Sequence, residues 1–285
     1  MRTLHIDTGR EMRGGQWQVL RLVSNLEGAT LLASPDSPLF ERARLARVPV
    51  EPVSAAAIWR WSRRVDLVHA HDARAHTLAV LFGRPPLVVS RRVAFPVGRS
   101  VLSRLKYARV NRYIAVSRAV EQRLLAAGVP RSRIRIVPDG VPLLPLSSLD
   151  GPVIAPASDD PRKGSQLVRE AAELAGVEVR FSKNLEDDLR TASLMVYITE
   201  EEGLGSAVLL AMSAGVPVVA SRVGGLVEIA DPRLLVDNTA PSIAQAIRGA
   251  RKDWGREARA RVESEFTTGS MVHATMRVYS EILAR

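Results

Sequence analysis

The stretch EEGLGSAVLLAMSAGVPVVASRVGG, residues 201–225, reads as a glycine loop, a short helix, a strand and a second glycine turn, and it follows an apolar strand-like run over 194–198. Strand, loop, helix, strand is the repeating unit of a parallel α/β sheet. The loop also carries chemistry. Gly203 and Gly205 allow the backbone to come close to a ligand. A helix beginning near Ser206 points free N–H groups and the positive end of its dipole at an anion, which suits a diphosphate. Glu202 stands beside that site, where a carboxylate disfavours phosphate, so its natural partner is a neutral polyol whose hydroxyls donate to it. Phosphate and polyol together describe a nucleotide sugar. The competing reading makes Glu202 a helix cap and gives the glycines to packing.

Outward from this segment the alternation continues. Short β-branched or aliphatic runs fall at 3–6, 30–33, 48–53, 66–70, 87–90, 113–116 and 134–137, with helical patterns between them such as 16–26. After Pro142 the stretch LLPLSSLDG, 143–151, has no periodicity and reads as a linker. Further strands are expected near Val153 and at 177–181, 194–198, 216–220 and 234–236. A closing helix over 269–283 has Val272, Met276, Tyr279 and Leu283 on one face. The expectation is therefore an α/β protein with two doubly wound parallel sheets facing a cleft. Its first domain spans 1–147, joined by the C-terminal helix 269–285, and its second spans 148–268.

Composition limits the function. At 285 residues the chain is long enough for two domains at roughly 100 to 200 residues each. It has 46% hydrophobic residues, no cysteine, no signal-like N-terminus and no apolar run long enough to span a membrane, which gives the expectation of a cytoplasmic protein. Disulfides, thiolate metal sites and cysteine nucleophiles are excluded. The net charge of +10 favours anionic ligands. It is scattered and lacks an aromatic-lined groove, which argues against nucleic acid. The densest basic stretch places Arg91, Arg92, Arg99, Arg104, Lys106, Arg109 and Arg112 among Val101, Leu102, Leu105 and Val110. It is either a surface for peripheral contact with the anionic inner face of the cell membrane or a solvated helix face.

Single residues follow. Lys163, with Arg162 beside it, opens a helix, where a cation opposes the dipole; a bound anion explains that placement better than solvent does. His71 follows strand 66–70 at its carboxyl end, where open α/β folds bind ligands, and His69 belongs inside the strand. The HxH pair shares a face, yet the sequence offers no obvious third ligand and no DxD motif, so no metal site is assigned. Gly14 and Gly15 open the first helix, either as a loop that approaches acceptor or phosphate or as a tight turn alone.

Taken together, EGLG, AMSAG, PVVA and GG in 202–225, RGGQWQVL at 13–20, DLVHAHDARA at 66–75, AVS at 115–117, VPDGV at 137–141 and DPRKGS at 160–165 resemble retaining glycosyltransferase family 4 of the glycosyl transferases group 1. The resemblance covers most of the chain. It implies the GT-B architecture of two Rossmann-like domains, an enzyme that needs no cofactor or metal, a nucleotide diphosphate sugar as co-substrate, and an unidentified acceptor, such as a lipid or cell-surface glycan precursor. It implies that Glu202 binds the donor sugar, that Lys163 and Arg162 bind its phosphates, and that Gly203, Leu204, Gly205 and Ser206 surround sugar and diphosphate. His71 would lie near the transferred sugar, and Gly14, Gly15, Arg91 and Arg92 near acceptor or phosphate.

The sequence departs from that family at two contacts. The second donor carboxylate falls at Leu210 and the phosphate arginine at Ser158. Glu228 is a conceivable replacement carboxylate or a helix cap. The second domain is trimmed, since the run 177–181 leads almost directly to Asp187, Asp188 and the next strand. These losses keep a second reading open, a nucleotide-sugar-binding protein or partner without turnover, with an epimerase or a basic RNA-binding protein further behind.

Overall fold

Four-residue runs such as TLHI, LVHA, LMVY and VVAS are buried along their whole length, as strands covered on both faces must be. The structure, a computed structural model, describes residues 1–84, 86–92 and 101–284, with the backbone alone for 101–104. Arg99 lies outside the described residues, as do the side chains of Val101, Leu102 and Arg104. Two units form, Met1–Gly140 with Thr268–Arg285, and Val141–Thr267. The chain crosses between them at Gly140, ahead of the expected linker. Val141 already belongs to the second unit, where its N–H donates to the Phe266 carbonyl and it bridges to Thr267. The aperiodic 143–151 stretch is held there too, through Ser147 to Ala214, Ser148 to Arg190 and Gly151 to Thr191.

In the first unit the elements run β1 (Thr3–Ile6), α1 (Gly14–Val23), β2 (Ala29–Ala33), α2 (Pro38–Leu45), β3 (Val50–Pro52), α3 (Ala55–Trp61), β4 (Leu67–Ala70), α4 (Ala73–Phe82), β5 (Leu87–Arg91), α5 (Val101–Ala108), β6 (Arg112–Ala115), α6 (Arg118–Ala126) and β7 (Ile134–Ile136). The strands form one parallel sheet in the order β3-β2-β1-β4-β5-β6-β7. Successive strands therefore reverse direction of growth between β1 and β4, the switch point where such sheets bind ligands at their carboxyl ends.

The second unit continues with β8 (Val153–Pro156), α7 (Ser165–Ala175), β9 (Val179–Ser182), α8 (Leu185–Asp188), β10 (Leu194–Tyr197), α9 (Ser206–Ser213), β11 (Val218–Ser221), α10 (Leu226–Ile229), β12 (Leu235–Val236), α11 (Ala240–Gly249) and α12 (Lys252–Glu265). Its sheet is also parallel, ordered β12-β11-β10-β8-β9. Val168, Ala171, Ile243, Ala244 and Ile247 of α7 and α11 close one face of it.

The last helix, α13 (Thr268–Leu283), packs in the first unit and buries Met271, Val272, Thr275, Val278, Tyr279 and Ile282. Met276 and Leu283 were expected on the buried face and are instead 43% and 40% exposed. Tyr279 anchors the helix, its hydroxyl bonded to His69 Nδ1 at 2.5 Å inside the sheet. Tyr279→Phe is expected to cost about 1 to 2 kcal/mol, because it orphans a buried ring nitrogen. A urea midpoint equal to the wild type's would show that the bond contributes nothing.

Candidate functional site

In the second unit, β10 ends at Tyr197 and the chain turns through the glycine loop into α9. Gly205 forms the N-cap at φ +103, and a Cβ there would stand 2.6 Å from Leu226 Cδ2, so only glycine fits without strain. With no side chain at the cap, the first amides of α9 have no capping group from that residue. The second glycine turn lies against the first: Gly225 N–H donates to the Glu202 carbonyl at 3.1 Å, and a Cβ on Gly225 would fall 2.1 Å from the Gly203 carbonyl oxygen. The two glycine signals of the sequence are thus one packed structure.

Glu202 is held from three sides. Its Oε2 accepts from Lys163 Nζ at 2.9 Å and from the Tyr197 hydroxyl, and its Oε1 accepts from the Gly203 amide at 3.2 Å. Burial, and next the Glu202 charge, push the Tyr197 phenol well above its usual range, so it stays a donor. Tyr197 carried no signal in the sequence beyond a strand position. Lys163 ends the turn Pro161–Lys163, and its ammonium also reaches Tyr197 Oη at 3.3 Å. Arg162 points elsewhere, in a bidentate pair with Asp160 at 3.0 and 2.7 Å. Leu204 and Leu210 are buried, the latter as an apolar side chain of α9. Ser158 supports the turn, its hydroxyl accepting from Asp160 N–H at 3.2 Å. Glu228 lies in α10, which the second glycine turn opens.

In the first unit the register of β1 on β4 sets His5 opposite His69. His5 is the third histidine that spacing alone did not supply, and the absence of a third ligand expected from the sequence is corrected here. Candidate ligand atoms of His5, His69 and His71 lie within 4.8 Å of one another, so these three could hold a metal ion. Their ring nitrogens are, however, already engaged. His69 bonds Tyr279 Oη and Ser90 Oγ, and His5 bonds Thr3 Oγ1 and His71. Arg92 Nη1 stands 3.3 Å from His71 Nδ1, while its Nε pairs with Asp139 at 3.2 Å.

The guanidinium can only donate, which orders the chain. His71 Nδ1 must accept, so its proton sits on Nε2 and is given to His5 Nδ1 at 3.0 Å; His5 in turn donates from Nε2 to Thr3. Burial, followed by the neighbouring charge, lowers His5 to about 3 and holds His71 well below the ordinary histidine range, so both are neutral at neutral pH. Arg92→Leu is expected to turn the single His71 tautomer into a mixture, read from imidazole 15N shifts, and to cost about 1 to 2 kcal/mol. An unchanged spectrum would assign the ordering to His5 alone.

Gly15 adjoins this group, its hydrogen facing Arg92 Cδ at 3.9 Å from an ideal Cβ, and Gly14 begins α1. Asp7 accepts from Gly9 N–H and from Gln16 Nε2, and burial raises its carboxyl. Arg91 stands apart, donating to Tyr107 Oη at 3.3 Å. Lys106 donates to Ala73 O and Thr77 Oγ1, and Arg112 is buried, so much of the basic stretch is turned into the protein, with Leu105 and Arg109 exposed. Among the described residues no helix is long and apolar enough to cross a membrane.

Two family profiles match the chain, Glycosyltransferase Family 4 over residues 11–143 and Glycosyl transferases group 1 over residues 153–253. Among solved structures the chain is similar to HepE from Anabaena in complex with UDP and glucose, at 16% identity over 98% of this chain and 99% of that one, with a TM-score of 0.86. It is similar to a glycosyltransferase from Rickettsia africae, at 16% identity over 99% and 98%, TM-score 0.81. It is also similar to sucrose-phosphate synthase from Thermosynechococcus elongatus, at 16% identity over 100% of both chains, TM-score 0.73. At such identities the likeness is one of fold. No curated protein matches the sequence significantly.

Proposed function

The chain belongs to glycosyltransferase family 4, with the group 1 glycosyl transferase domain in its second half and the GT-B fold, and from that premise we propose that it moves a sugar from a nucleotide diphosphate to an acceptor with retention and without a metal. The observation that carries the reading is the Lys163 ammonium 2.9 Å from the Glu202 carboxylate, beside the glycine cap of α9. A cation and a helix N-terminus suit the diphosphate, and the carboxylate suits the sugar hydroxyls. Lys163 and the α9 amides would stabilise charge on the leaving diphosphate, the role a metal takes in other transferases. The leaving phosphate then helps take the acceptor's proton. On the first unit, Arg92 and His5 hold the neutral His71 imidazole in one orientation and engage both its ring nitrogens, so it would meet the reacting sugar through a nitrogen only by giving up one of those bonds. HepE forms complexes with UDP and UDP-glucose, which makes a uridine diphosphate sugar the first donor to test.

Leu210 and Ser158 favour a second reading, a nucleotide-sugar-binding protein without turnover, because both stand where the family places charged donor contacts. Calorimetric titration without added metal, against uridine, guanosine and adenosine diphosphates and their sugar conjugates, tests both. One nucleotide family is expected to bind. Glu202→Ala is expected to erase the preference for sugar conjugate over bare diphosphate and to spare the diphosphate itself. Equal loss of both would contradict the polyol role, and binding with no release of nucleotide on any acceptor would favour the second reading.

A further inference from the structure

The first unit contains a cavity of about 440 Å³ at the carboxyl ends of β1, β2 and β3, lined among others by Thr8, Arg10, Asp36, Ser37, Ser54 and Arg74. Its size falls within the ~300 to 1,000 Å³ of small-molecule sites. Four elements frame it: the loops after β1, β2 and β3, and the first two turns of α4, which follows β4 across the switch point. It is tied to the histidine group. Thr8 donates from N–H and Oγ1 to the carboxylate of Asp72, the residue after His71, and that carboxylate also caps α4 through Arg74 and Ala75 N–H.

The lining is chemically uneven. Among the described residues neither the Arg10 nor the Arg74 guanidinium has a carboxylate partner, unlike Arg13, Arg44, Arg162 and Arg233, each of which pairs with a carboxylate two or three residues away. Ser37 Oγ and Ser54 Oγ each accept a helix-cap bond, from Phe40 and Ala57 N–H, which leaves each hydroxyl hydrogen without an acceptor among the described residues. The one carboxylate in the lining, Asp36, is an acceptor for a hydroxyl. Two cations and two hydroxyl donors call for an anion, and the lone carboxylate for a ligand that also carries hydroxyl groups.

Resting on the transferase reading above, we propose that this cavity is the acceptor site and that the acceptor is an anionic polyol, a sugar or polyol bearing a phosphate or carboxylate that Arg10 and Arg74 hold. The anion can belong to a free metabolite or to a lipid headgroup, and one experiment separates them. The 285-residue chain is titrated calorimetrically with glucose 1-phosphate, glucuronate and glucose, with vesicles of phosphatidylcholine and phosphatidylglycerol in equal parts or of phosphatidylcholine alone, and with uridine diphosphate. Glucose 1-phosphate or the anionic vesicles are expected to bind and glucose to bind at least tenfold more weakly. The double variant R10Q/R74Q is expected to lose tenfold or more in affinity for the anion with uridine diphosphate binding unchanged. Asp36→Asn, at a backbone conformation of φ +57 that asparagine tolerates, should bind inorganic phosphate about threefold more tightly, a gain that misfolding cannot produce. Dependence on the two arginines in vesicles alone assigns a headgroup, and in solution alone a metabolite. Glucose binding as well as its phosphate, anion binding indifferent to R10Q/R74Q, weaker phosphate binding by Asp36→Asn, or uridine diphosphate binding with no anion bound would each overturn the proposal and leave the donor reading standing. Arginine-dependent anion binding with no nucleotide bound would sink the donor reading instead.

Discussion

Lys163→Ala is expected to weaken nucleotide diphosphate binding about 10- to 100-fold and to lower kcat/KM at least as much. A hydrogen bond to a charged group contributes about 1.5 to 3 kcal/mol, and 1.4 kcal/mol is tenfold in affinity. The side chain is placed to make such a bond. Its turn is fixed by Asp160, which caps Arg162 N–H, and by Gly164 at φ +62, and the side chain is one-third exposed, open enough for a ligand and closed enough for the charge to count. The same ammonium orders Glu202, so the loss could act on the diphosphate directly or through the carboxylate. A double-mutant cycle with Glu202→Ala separates the two. Additive losses mean that Lys163 meets the phosphate itself, and a coupling above about 1 kcal/mol means that it works through Glu202. Unchanged diphosphate affinity in Lys163→Ala would remove the donor site from this part of the molecule.

What the sequence disclosed about this site was local chemistry. The glycine loop, the cap at Gly205 and the strand after it lie within 25 residues and depend on short-range rules, so EEGLGSAVLLAMSAGVPVVASRVGG could be read as it folds. Strands were equally plain, because a parallel strand buried on both faces is a run and needs no phase. Their ends were less so. The run 216–220 begins as strand only at Val218, because Val216 N–H is taken by the Ala211 carbonyl to close α9. The run 48–53 likewise begins at Val50, since Val48 N–H closes α2 on Ala43. The buried face of α13 was half right: Val272 and Tyr279 lie inward, whereas the covering sheet takes Met271, Thr275, Val278 and Ile282 in place of Met276 and Leu283.

Contacts made by register or across long loops were invisible. Nothing near His69 announces His5, which arrives from 64 residues away through parallel pairing, and nothing near Arg92 announces Asp139. The role of Tyr197 emerges only when Lys163 and Glu202, 39 residues apart, converge on its hydroxyl. Side chains that organise a site from behind obey tertiary geometry, and a single sequence without its fold holds no short-range signal for them.

Gly225→Ala is the substitution in which fold and site are hardest to separate, and it is expected to reduce donor affinity and turnover about 100-fold while costing ~1 to 3 kcal/mol of stability. The backbone at Gly225 has φ −72, open to any residue, so conformational freedom is not at stake. Space is. The added methyl would meet the Gly203 carbonyl oxygen at 2.1 Å and Leu204 Cα at 2.7 Å, both main-chain atoms that cannot swing aside. Relief requires the loop carrying Glu202 to move by about 1 Å, and a displacement of that size at a positioned group is enough for a 100-fold loss. Gly249→Ala is the control, since nothing lies within 4 Å of its Cβ at the end of α11, and it should leave binding intact and stability equal or slightly higher. Urea unfolding and diphosphate calorimetry on both variants decide the matter. If Gly225→Ala loses stability alone, the second glycine turn is a packing device; if it loses donor affinity under conditions where it is still fully folded, the turn holds the donor loop in register. Native values for both would mean that the loop accommodates the methyl without moving Glu202, and the contact between the two glycine turns would then have no part in shaping the site.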